Sequence, residues 1–216
     1  MTQMGMKDKL VLITGANSGI GKETARGLAA MGATIIMACR NLEKAAPVRD
    51  AIAEETGNAG VSIMHIDLAS LESIRTFARE FAGAYTRLDV LINNAGTFSP
   101  TRQETEDGFE KTMGTNHLGP FLLTHLMLPF LRQAVAARVV NVSSGAAFFG
   151  KIHLDDLQMT KLYGMVGFGA YAASKLANVF FTQELAQRLE GTQITVNAVH
   201  PGVVSTSIWP DSSWLW

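Results

Sequence analysis

Residues 10–25 read LVLITGANSGIGKETA: a run of aliphatic residues ends in glycines at 15, 19 and 21, and a stretch without proline follows. This order predicts a strand, a sharp turn and a helix. Gly15 permits the abrupt exit from the strand, Gly19 lets the backbone approach an anion with no Cβ in the way, and Gly21 lets the new helix pack close to the sheet. The first N–H groups and positive end of that helix face outward from the turn. Gly15, Asn17, Ser18, Gly19, Ile20 and Gly21 are therefore the candidate cradle for the pyrophosphate of a dinucleotide. Glycines collect in turns for conformational reasons alone, and their weight comes from standing between the first strand and first helix of a βαβ unit.

The rest of the chain supplies that context. Short apolar runs at 10–14, 33–39, 61–67, 88–94, 138–143 and 194–199 read as strands. Stretches suited to helices, at 19–31, 42–56, 70–84, 105–133 and 169–190, lie between them. Nearly continuous apolar strands are those of a parallel sheet covered on both faces, and strict alternation means right-handed βαβ crossovers. The expected fold is a doubly wound parallel α/β sheet, a three-layer Rossmann architecture, in one domain over residues 1–216. The segment 146–168 is the longest without a predicted element, and long loops in compact domains are either functional or disordered.

Composition excludes several classes of function. The chain has 216 residues, 47% of them hydrophobic, and a formal charge of −1, which gives no basic excess for nucleic acid or an anionic membrane surface. A single cysteine, Cys39, cannot form an internal disulfide, and MTQMGMKDKL lacks the apolar core of a signal peptide, so a reducing, cytoplasmic setting is expected. No apolar run reaches the roughly 20 residues of a membrane span. The five histidines are scattered and no metal-ligand spacing occurs, so no metal is expected.

Two further places carry chemistry. The second strand ends in Cys39, Arg40 and Asn41, without the carboxylate that would bind the 2′-hydroxyl of NAD. The planar fork of Arg40 suits a 2′-phosphate, and the alternative is a solvated loop arginine. Asp67, followed by Leu68, either accepts from an adenine amino group or belongs to the N-cap region of the next helix. Farther on, GFGAYAASKLANVFF sets Tyr171 and Lys175 four residues apart in a small, apolar helix, so phenol and ammonium share one face. Alone, such a pair is more often a half-exposed face with a snorkelling lysine.

Six ordered motifs change that weight. TGANSGIG, NNAG (93–96), TNHLGPFLLT (115–124), VNVSS (140–144), YAASK (171–175) and HPGVVST (200–206) occur in the order found in the short-chain dehydrogenase/reductases. The chain resembles that family over essentially its whole length, and ACRNLEKA with the long serine-to-tyrosine gap resembles its retinol dehydrogenase and WW-domain oxidoreductase-like group. The resemblance implies that Asn116, Ser144, Tyr171 and Lys175 are the catalytic set. It implies that Asn94, Ala95 and Gly96 line the adenosine and ribose region, although a tight turn is their other reading. Pro201, Gly202, Val204 and Thr206 would border the nicotinamide, with a strand-ending turn as the alternative for HPG. His117 and His200 are read as packing or hydrogen-bonding residues.

The chemistry implied is hydride transfer between a nicotinamide, NADP(H) in preference to NAD(H), and a small-molecule alcohol/carbonyl pair, retinoid-like or otherwise apolar. The cofactor supplies the hydride and the protein the proton. A free tyrosine titrates near 10, and an adjacent cation is expected to lower that value and make Tyr171 a general acid and base. Ser144 would hold the substrate oxygen, or else cap a turn. Asn116 has poor helix propensity, and the resemblance gives it a local kink and a water leading to the lysine. A homo-oligomer is expected, with the helices over 105–133 and 169–190 between subunits. The sequence ends at SIWPDSSWLW, without the substrate-covering segment, last helix and seventh strand usual in the family. That leaves the sixth strand as an expected exposed edge, and leaves a second function class: a cofactor-binding but catalytically impaired interaction protein.

Overall fold

In the computed structural model, which describes residues 5–161, 163 and 167–202, six parallel strands form one sheet in the order β3-β2-β1-β4-β5-β6. They are β1 (Leu10–Thr14), β2 (Thr34–Cys39), β3 (Val61–His65), β4 (Val90–Asn93), β5 (Ala137–Val142) and β6 (Ile194–Val199). Four long helices and one split helical segment connect them: α1 (Gly19–Ala30), α2 (Leu42–Thr56), α3 (Leu71–Ala84), α4 (Lys111–Met113), α5 (Gly119–Leu131) and α6 (Phe168–Arg188). The strand order reverses between β1 and β4, and in an open α/β sheet the crevice beyond the carboxyl ends of such strands is where ligands bind. No helix among the described residues is long and apolar enough to cross a membrane.

The alternation of side chains along each strand builds a core on both sheet faces. Leu12 of β1 packs with Ile36, Phe77, Phe81, Leu91 and Leu123, while its neighbours Val11 and Ile13 pack with Ile35, Met37 and Ile52 on the other face. Phe77 and Phe81 lie four apart on α3 and are fully buried, and Phe81 meets Phe130 of α5 edge-on at 5.0 Å between ring centroids. Local signals end the helices where composition places them. Asn41 caps α2 by accepting from the Lys44 N–H at 2.8 Å, and Gly57 closes it at φ 64°. Buried Asp89 ties together the starts of the central strands β1 and β4, taking Lys9 and Arg87 at 3.0 Å each and the Leu10 N–H at 3.0 Å.

The helix expected over 105–133 is the largest departure. It starts six residues late, because Gly108 adopts φ 80° and Glu104 and Glu110 form an antiparallel bridge. The fully buried Glu110 carboxylate then caps α4, accepting from the N–H groups of Thr112 and Met113 at 2.8 and 2.7 Å. A π-helical turn over Gly114–Leu118 intervenes before α5. The segment 146–168, expected to lack an element, opens with a 3₁₀ turn at Gly145–Phe149. Among the described residues β6 has a paired neighbour, β5, on one side only, and no seventh strand is present.

Candidate active site

The crevice at the strand reversal is a cleft of about 670 Å³, within the range of small-molecule and cofactor sites. Its phosphate side is backbone. Gly15 and Gly19 adopt φ 66° and 51°, conformations that favour glycine. A Cβ on Gly21 would lie 2.5 Å from Asn94 Nδ2 and collide with the Gly15 carbonyl, so only glycine lets α1 sit this close to β1. Ser18 is the N-cap of α1 in extended conformation and makes no side-chain cap bond, whereas Asn41 and Ser70 cap α2 and α3. Among the described residues the first-turn N–H groups of α1 have no side-chain acceptor beside the cleft, which is what an anionic group requires. The residues fit a dinucleotide on these grounds.

Of the expected cofactor residues, Gly15, Asn17, Ser18, Gly19, Ile20, Gly21, Arg40, Asp67, Leu68, Asn94, Ala95, Gly96, Pro201 and Gly202 line this cleft. Asn41 is not among the residues lining it, and its amide oxygen is committed to capping α2. Val204 and Thr206 lie outside the described residues. Asn94 has a structural task, since its Nδ2 donates to the Thr14 carbonyl at 2.8 Å and to the Gly15 carbonyl at 3.3 Å. Asp67 accepts from the Ala69 N–H at 2.9 Å within its own turn, while Ser70 is the N-cap of α3.

Ser144, Tyr171 and Lys175 line the opposite end of the cleft. Tyr171 and Lys175 share one face of α6 as their spacing requires; Lys175 Nζ stands 5.7 Å from the tyrosine ring centroid and donates to the Val142 carbonyl at 2.9 Å. Both are buried, at 5% and 3% exposure. Burial lowers the Lys175 ammonium to about 8. Burial also pushes the Tyr171 phenol up from its ordinary value, opposed by a hydrogen bond with Ser144. Without a cofactor the phenol is therefore raised rather than lowered, because the loss of water around a buried phenolate outweighs the hydrogen bond with Ser144.

Asn116 does not line the cleft. It is 1% exposed, in the π-helical turn, behind the wall that carries Tyr171. Its Oδ1 accepts from the Thr97 N–H at 2.7 Å, and its Nδ2 donates to the Thr97 carbonyl at 2.9 Å and to Ser174 Oγ at 3.1 Å. Ser174 in turn donates to the Tyr171 carbonyl at 2.7 Å. The local break in the helix implied by the resemblance is present, with Asn116 tying the loop after β4 to α6. His117 is a hydrogen-bonding residue, its Nδ1 3.0 Å from Asn178 Oδ1, and burial lowers its pKa. His200 also lines the cleft and accepts the Gly202 N–H at 3.3 Å.

Glu110 and Asn178 carry weight that sequence reasoning did not assign. The Tyr163 hydroxyl stands 2.9 Å from the Ser99 carbonyl and 3.2 Å from the Glu110 carboxylate, its one proton shared between the two acceptors. Tyr163 is thereby tied to the loop after β4. The only prior signal for Asn178 was an asparagine in the middle of an apolar helix.

Comparison with known proteins bears on the same residues. The sequence model of the short chain dehydrogenases matches residues 9–155 and 158–213. Human retinol dehydrogenase 12 is 50% identical over 214 residues, covering 99% of this chain and 67% of that protein. Human retinol dehydrogenase 11 is 49% identical over 211 residues, covering 96% and 66%. The chain thus spans about two thirds of the length of these relatives. A Mycobacterium paratuberculosis protein of known structure superposes with a TM-score of 0.81 at 43% identity, covering 92% of this chain and 69% of that one. A putative short chain dehydrogenase from Escherichia coli CFT073, solved with NADPH, gives 0.75 at 32% identity, covering 91% and 77%. Matching motifs, strand order and site geometry place this chain in the short-chain dehydrogenase family, within its retinol dehydrogenase group.

Proposed function

We propose that the protein is an NADP(H)-dependent oxidoreductase that interconverts an alcohol and its carbonyl, with Tyr171 as general acid in reduction and general base in oxidation. The observation that carries this reading is the buried phenol of Tyr171, hydrogen-bonded with Ser144 and one helical turn from Lys175, at the far end of the cleft from an open phosphate cradle. The bound nicotinamide would supply the hydride. Ser144 holds the carbonyl oxygen, the Tyr171 hydroxyl gives that oxygen its proton, and the Lys175 ammonium stabilises the phenolate left behind. Lys175 also holds the nicotinamide ribose hydroxyls. Arg40, exposed and at the cleft edge, pairs with the 2′-phosphate and sets the preference for NADP(H).

The substrate is apolar, of retinoid type. Phe149 and Phe168 line the cleft beside Tyr171, and Phe98 packs edge-on against the tyrosine ring at 6.0 Å. The names of the human relatives support the same class. The protein acts as a homo-oligomer through α5 and α6, where Phe121 and Phe180 are about half exposed, at 49% and 53%. NADPH oxidation is to be followed with retinaldehyde and with short polar aldehydes, beside direct titration of NADPH and NADH. The reading expects turnover with retinaldehyde and tighter binding of NADPH. Tight NADPH binding with no oxidation by any aldehyde would instead make this a cofactor-binding protein without turnover.

A further inference from the structure

The chemistry proposed for Tyr171 requires α6 to stay in register with the π-helical turn, and the two meet through a residue that no motif marks. Asn178 follows Lys175 by one turn on the same face of α6 and is 6% exposed. Asparagine is a poor helix former, and a buried amide is tolerated only when its polar atoms find partners. Both ends are partnered here. Nδ2 donates to the Asn116 main-chain carbonyl at 2.9 Å, and Oδ1 stands 3.0 Å from His117 Nδ1. Since Nδ2 must face the carbonyl, the amide has one orientation, and His117 must carry its proton on Nδ1.

The Asn116 carbonyl has a specific need for that donor. In an α-helix it would accept from the residue four positions on, which is Pro120 and has no N–H. The π-helical turn shifts the local pairing, with the Gly119 N–H going to the Gly114 carbonyl. Asn178 supplies from α6 what Pro120 withholds. It is anchored from behind: Thr182 Oγ1 donates to the Asn178 carbonyl at 2.7 Å and accepts from Asn141 Nδ2 at 2.9 Å. Asn141 Oδ1 accepts from Asn93 Nδ2 at 2.8 Å, so the line of hydrogen bonds reaches the ends of β4 and β5.

We propose that Asn178 is a positioning residue for proton transfer: it locks the π-helical turn to α6 and so fixes the height of Tyr171 and Lys175 in the cleft. This rests on the reading of Tyr171 as the acid. Asn178→Asp keeps the shape and the acceptor for His117 but removes the donor; Asn178→Leu removes both, and Pro120→Ala returns a backbone N–H to the turn. Each is to be examined at pH 8 by single-turnover NADPH oxidation with retinaldehyde, by NADPH titration, and by amide hydrogen exchange over residues 114–121.

Both Asn178 variants should lose tenfold or more in turnover, keep NADPH affinity within twofold, and exchange faster over 114–121. Adding Pro120→Ala to Asn178→Leu should recover at least threefold of the lost turnover. Parent-like turnover and exchange in Asn178→Asp, NADPH affinity falling in step with turnover, or no recovery from Pro120→Ala would each overturn the proposal. If Asn178→Leu does not fold, Asn178→Asp carries the same test. Tyr171→Phe separates the two readings: full turnover in that variant removes the acid assignment, while the exchange measurement still decides whether Asn178 locks the turn.

Discussion

The two ends of the cleft solve opposite problems. At the phosphate end, function comes from backbone: two glycines at positive φ, a third too close to its neighbours for a side chain, and a helix start whose N-cap makes no side-chain bond. At the proton-transfer end it comes from side chains, and what matters is that an ammonium and a phenol are buried almost completely. The first end presents backbone N–H groups; the second holds an ammonium out of water at a standing cost to the fold. One end therefore binds with little penalty to stability, and the other accepts a penalty to tune acids.

Lys175 is the strongest way to break that contrast. Its folded value of about 8 lies below the ordinary 10.5. Between those values the unfolded chain binds the extra proton, so stability should rise with pH across about 8 to 10.5, and the full penalty stands below 8. Lys175→Met should lower turnover by more than about 100-fold, given general acid–base contributions of that order. The same variant should flatten the pH dependence of Tm in that window. It should also gain stability at pH 7 on the order of 1 kcal/mol, the relief of charge burial being partly offset by the Val142 carbonyl left without its donor.

Arg40 sharpens the other end. Arg40→Ala should weaken NADPH binding by about 10- to 100-fold, the loss of a charge-assisted pair, and leave NADH within twofold. Titration of both cofactors checks it. Equal effects on the two would mean that Arg40 does not read the 2′-phosphate. The smallest effect belongs to Asn41, one residue away: Asn41→Ala should cost about 1 kcal/mol of stability by uncapping α2, visible as a lowered Tm, with cofactor affinity unchanged.

The phosphate end was legible in the sequence because its determinants are local. A glycine at positive φ and a helix start are properties of a few consecutive residues, and they survive without knowledge of what packs around them. All six strands were legible for the same reason, through their apolar runs. The helix over 105–133 was legible only in part: the break at Asn116 was expected, but its late start was not, since it depends on Gly108 at φ 80° and on the pairing of Glu104 with Glu110. Asn116 was legible as a break in the helix, but its partners were not. Its amide is spent on Thr97 and Ser174, partners 19 and 58 residues away. The burial that raises the Tyr171 phenol in the protein without cofactor was not legible, because spacing reports a nearby cation and says nothing of how deeply both groups are buried.

The central claim is that Tyr171 gives the carbonyl its proton. Tyr171→Phe removes one hydroxyl and leaves the ring that packs against Phe98. Single-turnover NADPH oxidation with retinaldehyde, run beside NADPH titration of the same variant, tests the claim most directly. The account predicts oxidation slowed by more than about 100-fold with NADPH affinity within a few-fold of the parent. Oxidation at the parent rate would contradict it.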